Sequence, residues 1–64
     1  MPDIRFANHG SFWLMRPETP AGQEWIREHI PRDAIRFGGS IAVEHRYVEA
    51  IVQGAVDADL TVSE

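Results

Sequence analysis

The chain has 64 residues, a net charge of −4 and no cysteine. This length predicts one small domain, residues 1–64, that disulfides and thiolate-bound metals cannot stabilise. Its six basic residues are all arginines scattered along the chain, which disfavours nucleic-acid binding because phosphate recognition needs clustered positive charge. No apolar run suits a membrane span and no signal peptide is evident, so we expect a cytoplasmic protein without membrane contact.

The N-terminal part reads as a β-hairpin. Residues 3–7 alternate polar and apolar, residues 8–10 suit a turn, and residues 11–16 form a second strand. The alternation of side chains puts Phe12 and Leu14 on one face of this second strand and places Trp13 and Met15 on the other. Because both faces are apolar, the strand is either covered on both sides or offers one face to a partner.

The next segment predicts a helix from Pro20 to about His29. Thr19 suits the N-cap, Pro20 suits the first helical position, and Pro31 ends the pattern. Helical spacing predicts a buried stripe of Ala21, Trp25, Ile26 and Ile30.

Residues 37–56 combine a glycine turn, an apolar strand and a second amphipathic helix. The glycines at 38–39 predict a turn or bulge between an extended segment at 33–37 and a strand at 41–43. A helix is expected from Glu44 or His45. Its apolar face is formed by Tyr47, Val48, Ile51, Val52, Ala55 and Val56.

The C-terminal end of this second helix carries unfavourable charge. Asp57 and Asp59 predict fraying, because negative side chains oppose the negative end of the helix dipole. Residues 60–62 suit an optional last strand. The element order is therefore β-β-α-β-α, which predicts a small two-layer α+β domain. We expect a three- to four-stranded, mostly antiparallel sheet with two helices on one face.

The segment from Trp25 to Tyr47, and above all its run 36–47 (Arg-Phe-Gly-Gly-Ser-Ile-Ala-Val-Glu-His-Arg-Tyr), resembles a group of small uncharacterised bacterial proteins, some of them encoded on phage-like elements. The likeness covers the last two-thirds of the chain. It implies a bacterial, cytoplasmic, accessory role and no catalytic residues.

Few patterns in the chain point to chemistry. The histidines His9, His29 and His45 are too far apart for a local zinc motif, although the fold could bring them together. The glycines at 38–39 precede a strand and lack a P-loop lysine, so a tight turn is expected rather than a phosphate site. A polar cluster of Glu44, His45 and Arg46 stands at a predicted helix start, where main-chain N–H groups can bind an anion.

Three functional hypotheses follow. The leading one is a non-enzymatic protein–protein interaction module, either a homodimer or the partner of another protein. Its candidate contact residues are Trp13 with Met15 or, on the other face, Phe12 with Leu14. The first alternative is an acidic regulator that occupies a cationic site on a partner, because residues from Glu49 onward include four acids and no base. The second alternative is a small metal-dependent protein that uses the histidines; otherwise no cofactor is expected.

Overall fold

Five strands form one mixed sheet, and two helices pack against it, in the computed structural model of residues 1–64. The elements in chain order are β1 (Ile4–Asn8), β2 (Phe12–Pro17), α1 (Pro20–His29), β3 (Arg36–Phe37), β4 (Ser40–Glu44), α2 (His45–Asp57) and β5 (Val62–Ser63). The predicted α+β class is confirmed.

The strand order across the sheet is β3-β4-β2-β1-β5. Every neighbouring pair is antiparallel except β1 and β5, which run parallel. The sheet has one more strand than the largest predicted number. Residues 33–37 do not continue into the strand at 41–43; instead β3 folds back on β4 across the glycines at 38–39, where Gly38 has a positive φ of 60°.

The hairpin between β1 and β2 turns one residue later than predicted. Its loop comprises residues 9–11 rather than 8–10. Gly10 adopts a φ of 88°, and its N–H donates to Asn8 Oδ1 at 2.8 Å. Asn8 therefore closes the turn with its side chain while its backbone remains in the strand.

The register of the strands decides which side chains face the helices. Phe6 lies opposite Met15, and Met15 lies opposite Ile41. These residues, together with Ile4 and Val43, are buried on one face of the sheet. The same core cluster contains Trp25, Ile26 and Ala55 from the helices, so both helices cover this face, as predicted.

Helix α1 begins as the sequence predicts, but its buried stripe is shifted at the start. Thr19 is the N-cap, and its Oγ1 accepts a hydrogen bond from the Gly22 N–H at 3.1 Å. Ala21, expected in the core, is exposed, and Gly22 is buried instead. This difference has a steric cause. A Cβ on Gly22 would collide with the Asp3 carbonyl oxygen, so only glycine allows α1 to approach the main chain of Asp3 this closely.

Helix α2 presents only part of its predicted apolar face to the core. Ala55 is buried, whereas Tyr47 and Val56 are each 49% exposed. Gly54 lies where Trp25 crosses the helix, since a Cβ there would meet the indole ring at 3.3 Å. Neither helix is long and apolar enough to cross a membrane.

Hydrogen bonds close the C-terminal end of α2, where the sequence predicts fraying. The Asp59 N–H donates to Val56 O at 2.9 Å, and the Leu60 N–H donates to Ala55 O at 3.0 Å. Asp59 has a φ of 66°. This pair of bonds around a left-handed residue is a Schellman motif, and it turns the chain back towards β5.

Candidate functional site

The two apolar faces of β2 have different environments. Met15 is fully buried beneath the helices, and Trp13 is half-buried and packs against the same core. The face that carries Trp13 and Met15 is therefore the inner face. The prediction that Met15 contacts a partner is wrong, because this side chain is buried in the core. Phe12 and Leu14, half-buried, lie on the opposite face, which no helix covers.

The uncovered face has an apolar centre. Leu14 lies between Ala7 of β1 and Ala42 of β4 in the register of the sheet. The Ala42 N–H also donates to Ile35 O at 2.8 Å, which brings the start of the β3 arm beside this row. We call the set Ala7, Phe12, Leu14, Ile35, Phe37 and Ala42 the open-face patch.

An aromatic row crosses one end of the open-face patch. Phe12 stacks against His9 with ring centroids 5.6 Å apart and against Phe37 with centroids 6.2 Å apart. Phe37 remains 55% exposed and Ile35 66% exposed. A shallow groove of about 270 Å³ runs between these side chains. Large apolar side chains held rigid but left in water are typical of contact surfaces.

Charged residues lie at the two ends of the open-face patch. At one end Arg5 and Arg16 are cross-strand neighbours, and both pair with Glu18, at 3.1 Å and 3.7 Å. At the other end Glu44 lies opposite Phe12. The patch is thus apolar in its middle. One end has two arginines that share the single carboxylate of Glu18, and the other end has Glu44, which lies 3.6 Å from Arg46.

The predicted polar cluster forms at the start of α2, and internal contacts engage its members. The Trp13 indole N–H donates to His45 Nδ1 at 2.9 Å. Arg46 lies 3.6 Å from the Glu44 carboxylate and stacks over the Tyr47 ring at 5.0 Å. Glu44 is the N-cap residue but makes no side-chain capping bond. Of these contacts, the Trp13–His45 bond ties β2 to the first residue of α2.

The three histidines lie against three different aromatic rings. His9 stacks on Phe12, His45 accepts from Trp13, and His29 stacks on Trp25 with centroids 4.6 Å apart. The His29 Nδ1 also donates to the Trp25 carbonyl oxygen at 2.9 Å. No three His, Asp or Glu side chains are grouped closely enough to hold a metal ion.

One polar cluster has no local signal in the sequence. The Asp3 carboxylate accepts hydrogen bonds from the Thr19 hydroxyl at 2.6 Å and from the Thr61 N–H at 2.9 Å. The hydrogen bond from Thr19, followed by those from Thr61, holds the pKa of Asp3 below its ordinary value. Asp3 thereby joins the N-terminus, the cap of α1 and the segment leading into β5, so its role is to fasten the fold.

The largest cavity lies between the two helices. It has a volume of about 720 Å³ and is open to solvent; its walls include Trp25 and His29 of α1, Ile51 and Tyr47 of α2, and the loop at 33–35. Its lining is largely apolar, and no hydrogen bond or ion pair joins any two of its titratable side chains, which are His29, Asp33, Glu44 and Tyr47.

Comparison of the chain with protein-family models, with curated proteins and with solved structures finds no match in any of the three. The geometry of the protein's surfaces is therefore the basis for inferring its function.

Proposed function

We propose that this protein is a non-enzymatic interaction module that forms a homodimer through the open-face patch. The single observation that supports this most strongly is the position of Phe12 and Leu14. Both belong to a central strand, yet no helix covers their face. A second copy would remove these side chains, and the exposed Phe37, from water.

The charges at the ends of the open-face patch favour one arrangement of the two copies. A homodimer with a two-fold axis brings the same patch of each copy together. If the strands of the two copies run in opposite directions, Arg16 of one copy approaches Glu44 of the other. The same-direction arrangement would place arginines against arginines, which is repulsive. We therefore propose the opposite-direction packing of the two sheets.

The first test is the molar mass by light scattering over a concentration series, for the wild type and for Leu14→Glu. The wild type is expected to approach twice the chain mass. Leu14→Glu buries a charge in the proposed contact, so its dimer dissociation constant should rise at least ~10-fold. Ala21→Glu is the matched control, since it adds the same charge at an exposed position of α1, and it should dimerise like the wild type.

Two results would contradict this proposal. One is a wild-type protein that stays monomeric at every concentration. The other is a Leu14→Glu variant that is folded by circular dichroism and still dimerises with unchanged affinity.

A charge exchange tests the arrangement of the two copies. Arg16→Glu and Glu44→Arg should each weaken the dimer, because each places like charges in contact across the interface. The double variant should recover most of the lost affinity. Both side chains are well exposed, at 65% for Arg16 and 65% for Glu44, so the fold should tolerate the exchange. Additive losses in the double variant would contradict the opposite-direction packing.

A further inference from the structure

The largest cavity separates the end of α1 from the start of α2. The two helices meet where Trp25 lies against Gly54, since a Cβ on Gly54 would be 3.3 Å from the indole ring. From there the cavity extends to His29 and Ile30 at the end of α1 and to Tyr47 at the start of α2. It is therefore a gap of about 720 Å³ between two helices that cover the same face of the sheet.

The walls of this cavity carry residues that the sequence pattern assigns to a core. Tyr47 and Ile51 belong to the predicted apolar face of α2, and Ile30 belongs to the predicted stripe of α1. In the structure Tyr47 is 49% exposed, and the two isoleucines are half-buried. The buried Ile41 and Val43 of β4 also line the cavity. Side chains patterned for burial thus stay partly in water along this gap, as in apolar ligand sites.

The charged residues of the cavity make it negative. Asp33 and Glu44 line it, and no arginine does, although Arg32 and Arg36 belong to the same loop and strand as Asp33. Glu44 already lies 3.6 Å from Arg46. Asp33 makes no side-chain hydrogen bond or ion pair. A ligand in the cavity therefore gains affinity if it brings a positive charge to Asp33.

Two aromatic rings border the same space. Trp25 stacks on His29 with centroids 4.6 Å apart, which holds the indole ring in place. Arg46 lies over the Tyr47 ring, 5.0 Å from its centroid, so this ring already attracts one cation. Because the faces of Trp and Tyr rings are negative, both walls favour a cationic ligand over an anionic one.

We propose that the cavity between the helices binds a small organic cation, with an apolar, aromatic body and one protonated amine. The body would lie against Trp25, Tyr47 and the isoleucines, and the amine would pair with Asp33. The cavity has the volume of a small-molecule site, for which about 300–1,000 Å³ is typical. A neutral ligand would leave Asp33 without a partner, and an anion would be repelled by it.

Three probes with the same apolar body test the requirement for charge: biphenyl-4-ylmethylamine, biphenyl-4-ylmethanol and biphenyl-4-carboxylate. Each is titrated at neutral pH into isotope-labelled protein and followed by NMR. The amine should give saturable shifts at the amides of residues 34, 47, 51 and 54 and at the Trp25 indole N–H, with little change at the Trp13 indole. The alcohol should bind at least ~3-fold more weakly than the amine, and the carboxylate more weakly still.

A pair of variants isolates the contribution of Asp33. Asp33→Asn should lower the affinity for the amine to that for the alcohol and leave the alcohol unaffected. Glu28→Gln is the matched control, because Glu28 is an exposed acid of α1 that does not line the cavity. Equal affinity of the wild type for the amine and the alcohol, or an Asp33→Asn variant that binds the amine as tightly as Glu28→Gln does, would overturn the proposed cation site.

A second pair tests the location. Ala50 is an exposed residue of α2 that lines the cavity, so Ala50→Phe should fill part of it and weaken amine binding at least ~10-fold. Ala21→Phe adds the same side chain at an exposed position of α1 outside the cavity and should bind like the wild type. A folded Ala50→Phe variant with unchanged affinity, or no saturable binding of the amine to the wild type up to about 1 mM, would refute the site.

The cavity and the homodimer can fail separately. Ile35 and Ala42 line the cavity and also belong to the open-face patch, whereas Leu14 belongs to the patch alone. Leu14→Glu, which should disrupt the dimer, is therefore expected to bind the amine as the wild type does. Loss of amine binding in that folded variant would show that the ligand needs the dimer contact, and would contradict a site within one chain.

Discussion

Single residues decide how the ends of this chain are held. The N-cap role of Thr19 could be predicted, because a hydroxyl residue before proline is a local signal. The partners of Asp3 could not be predicted in the same way, since Thr61 is 58 positions away. A carboxylate with two such partners looks in the sequence like any other surface acid.

Asp3 predicts a specific dependence of stability on pH. The pKa of Asp3 is lowered in the folded protein. The ionised carboxylate therefore contributes fully to folding stability above the unfolded-state pKa of about 3.9, and this contribution is lost as the pH falls through the folded-state pKa. Asp3→Asn should therefore lower the urea midpoint at pH ~7, and this difference should shrink to about half or less by pH ~3.

Asp33→Asn is the control for that experiment. Asp33 is exposed, whereas Asp3 is half-buried, and Asp33 makes no side-chain hydrogen bond or ion pair. The urea midpoint of Asp33→Asn should therefore differ little from that of the wild type at either pH. An Asp3→Asn effect that is equally large at both pH values would show that the charge of the carboxylate is not responsible.

At the scale of elements, the sequence predicts the helices better than it predicts how the strands pair. The bounds of α1 agree with the sequence because its start and stop signals are local. The sequence predicts only an extended segment at 33–37, because the two residues of β3 form a strand only by pairing with β4. The choice between the two faces of β2 was likewise open, since Trp13 and Phe12 are both apolar and only the register places Trp13 beside the core.

The position of α1 on the sheet depends on Gly22. A Cβ there would overlap the Asp3 carbonyl, which is main chain and cannot move independently of β1. Gly22→Ala should therefore destabilise the protein by about 1–3 kcal/mol despite the better helix propensity of alanine. Chemical denaturation measures this change in the free energy of unfolding.

Gly39→Ala provides the comparison for Gly22→Ala. A Cβ on Gly39 meets no atom within 4 Å, and its φ is not positive. Its free energy of unfolding should stay within about 0.5 kcal/mol of the wild type. A Gly22→Ala variant as stable as Gly39→Ala would mean that α1 can shift away from β1 without cost.

At the scale of the whole molecule, the core is small in relation to the apolar surface. Only eight hydrophobic residues are buried, while Phe37, Ile35 and most of the open-face patch stay in contact with water. A chain of this length buries only ~60% of the surface that its unfolded state exposes. Association is a direct way to add buried area without disulfides or metals.

If association adds this buried area, the thermal stability of the protein should depend on its concentration. If the native state is a dimer and the unfolded state is monomeric, a tenfold increase in concentration favours the folded form by mass action. For a domain of this size the melting temperature should rise by about 3 °C or more. Differential scanning calorimetry over two decades of protein concentration measures how steeply the melting temperature rises with the logarithm of concentration.

Leu14→Glu should remove this dependence, and Ala21→Glu should retain it. A wild-type melting temperature that does not change with concentration would mean that the small core suffices alone and that the open-face patch stays in water. Equal slopes in the wild type and Leu14→Glu would instead locate the association at another surface.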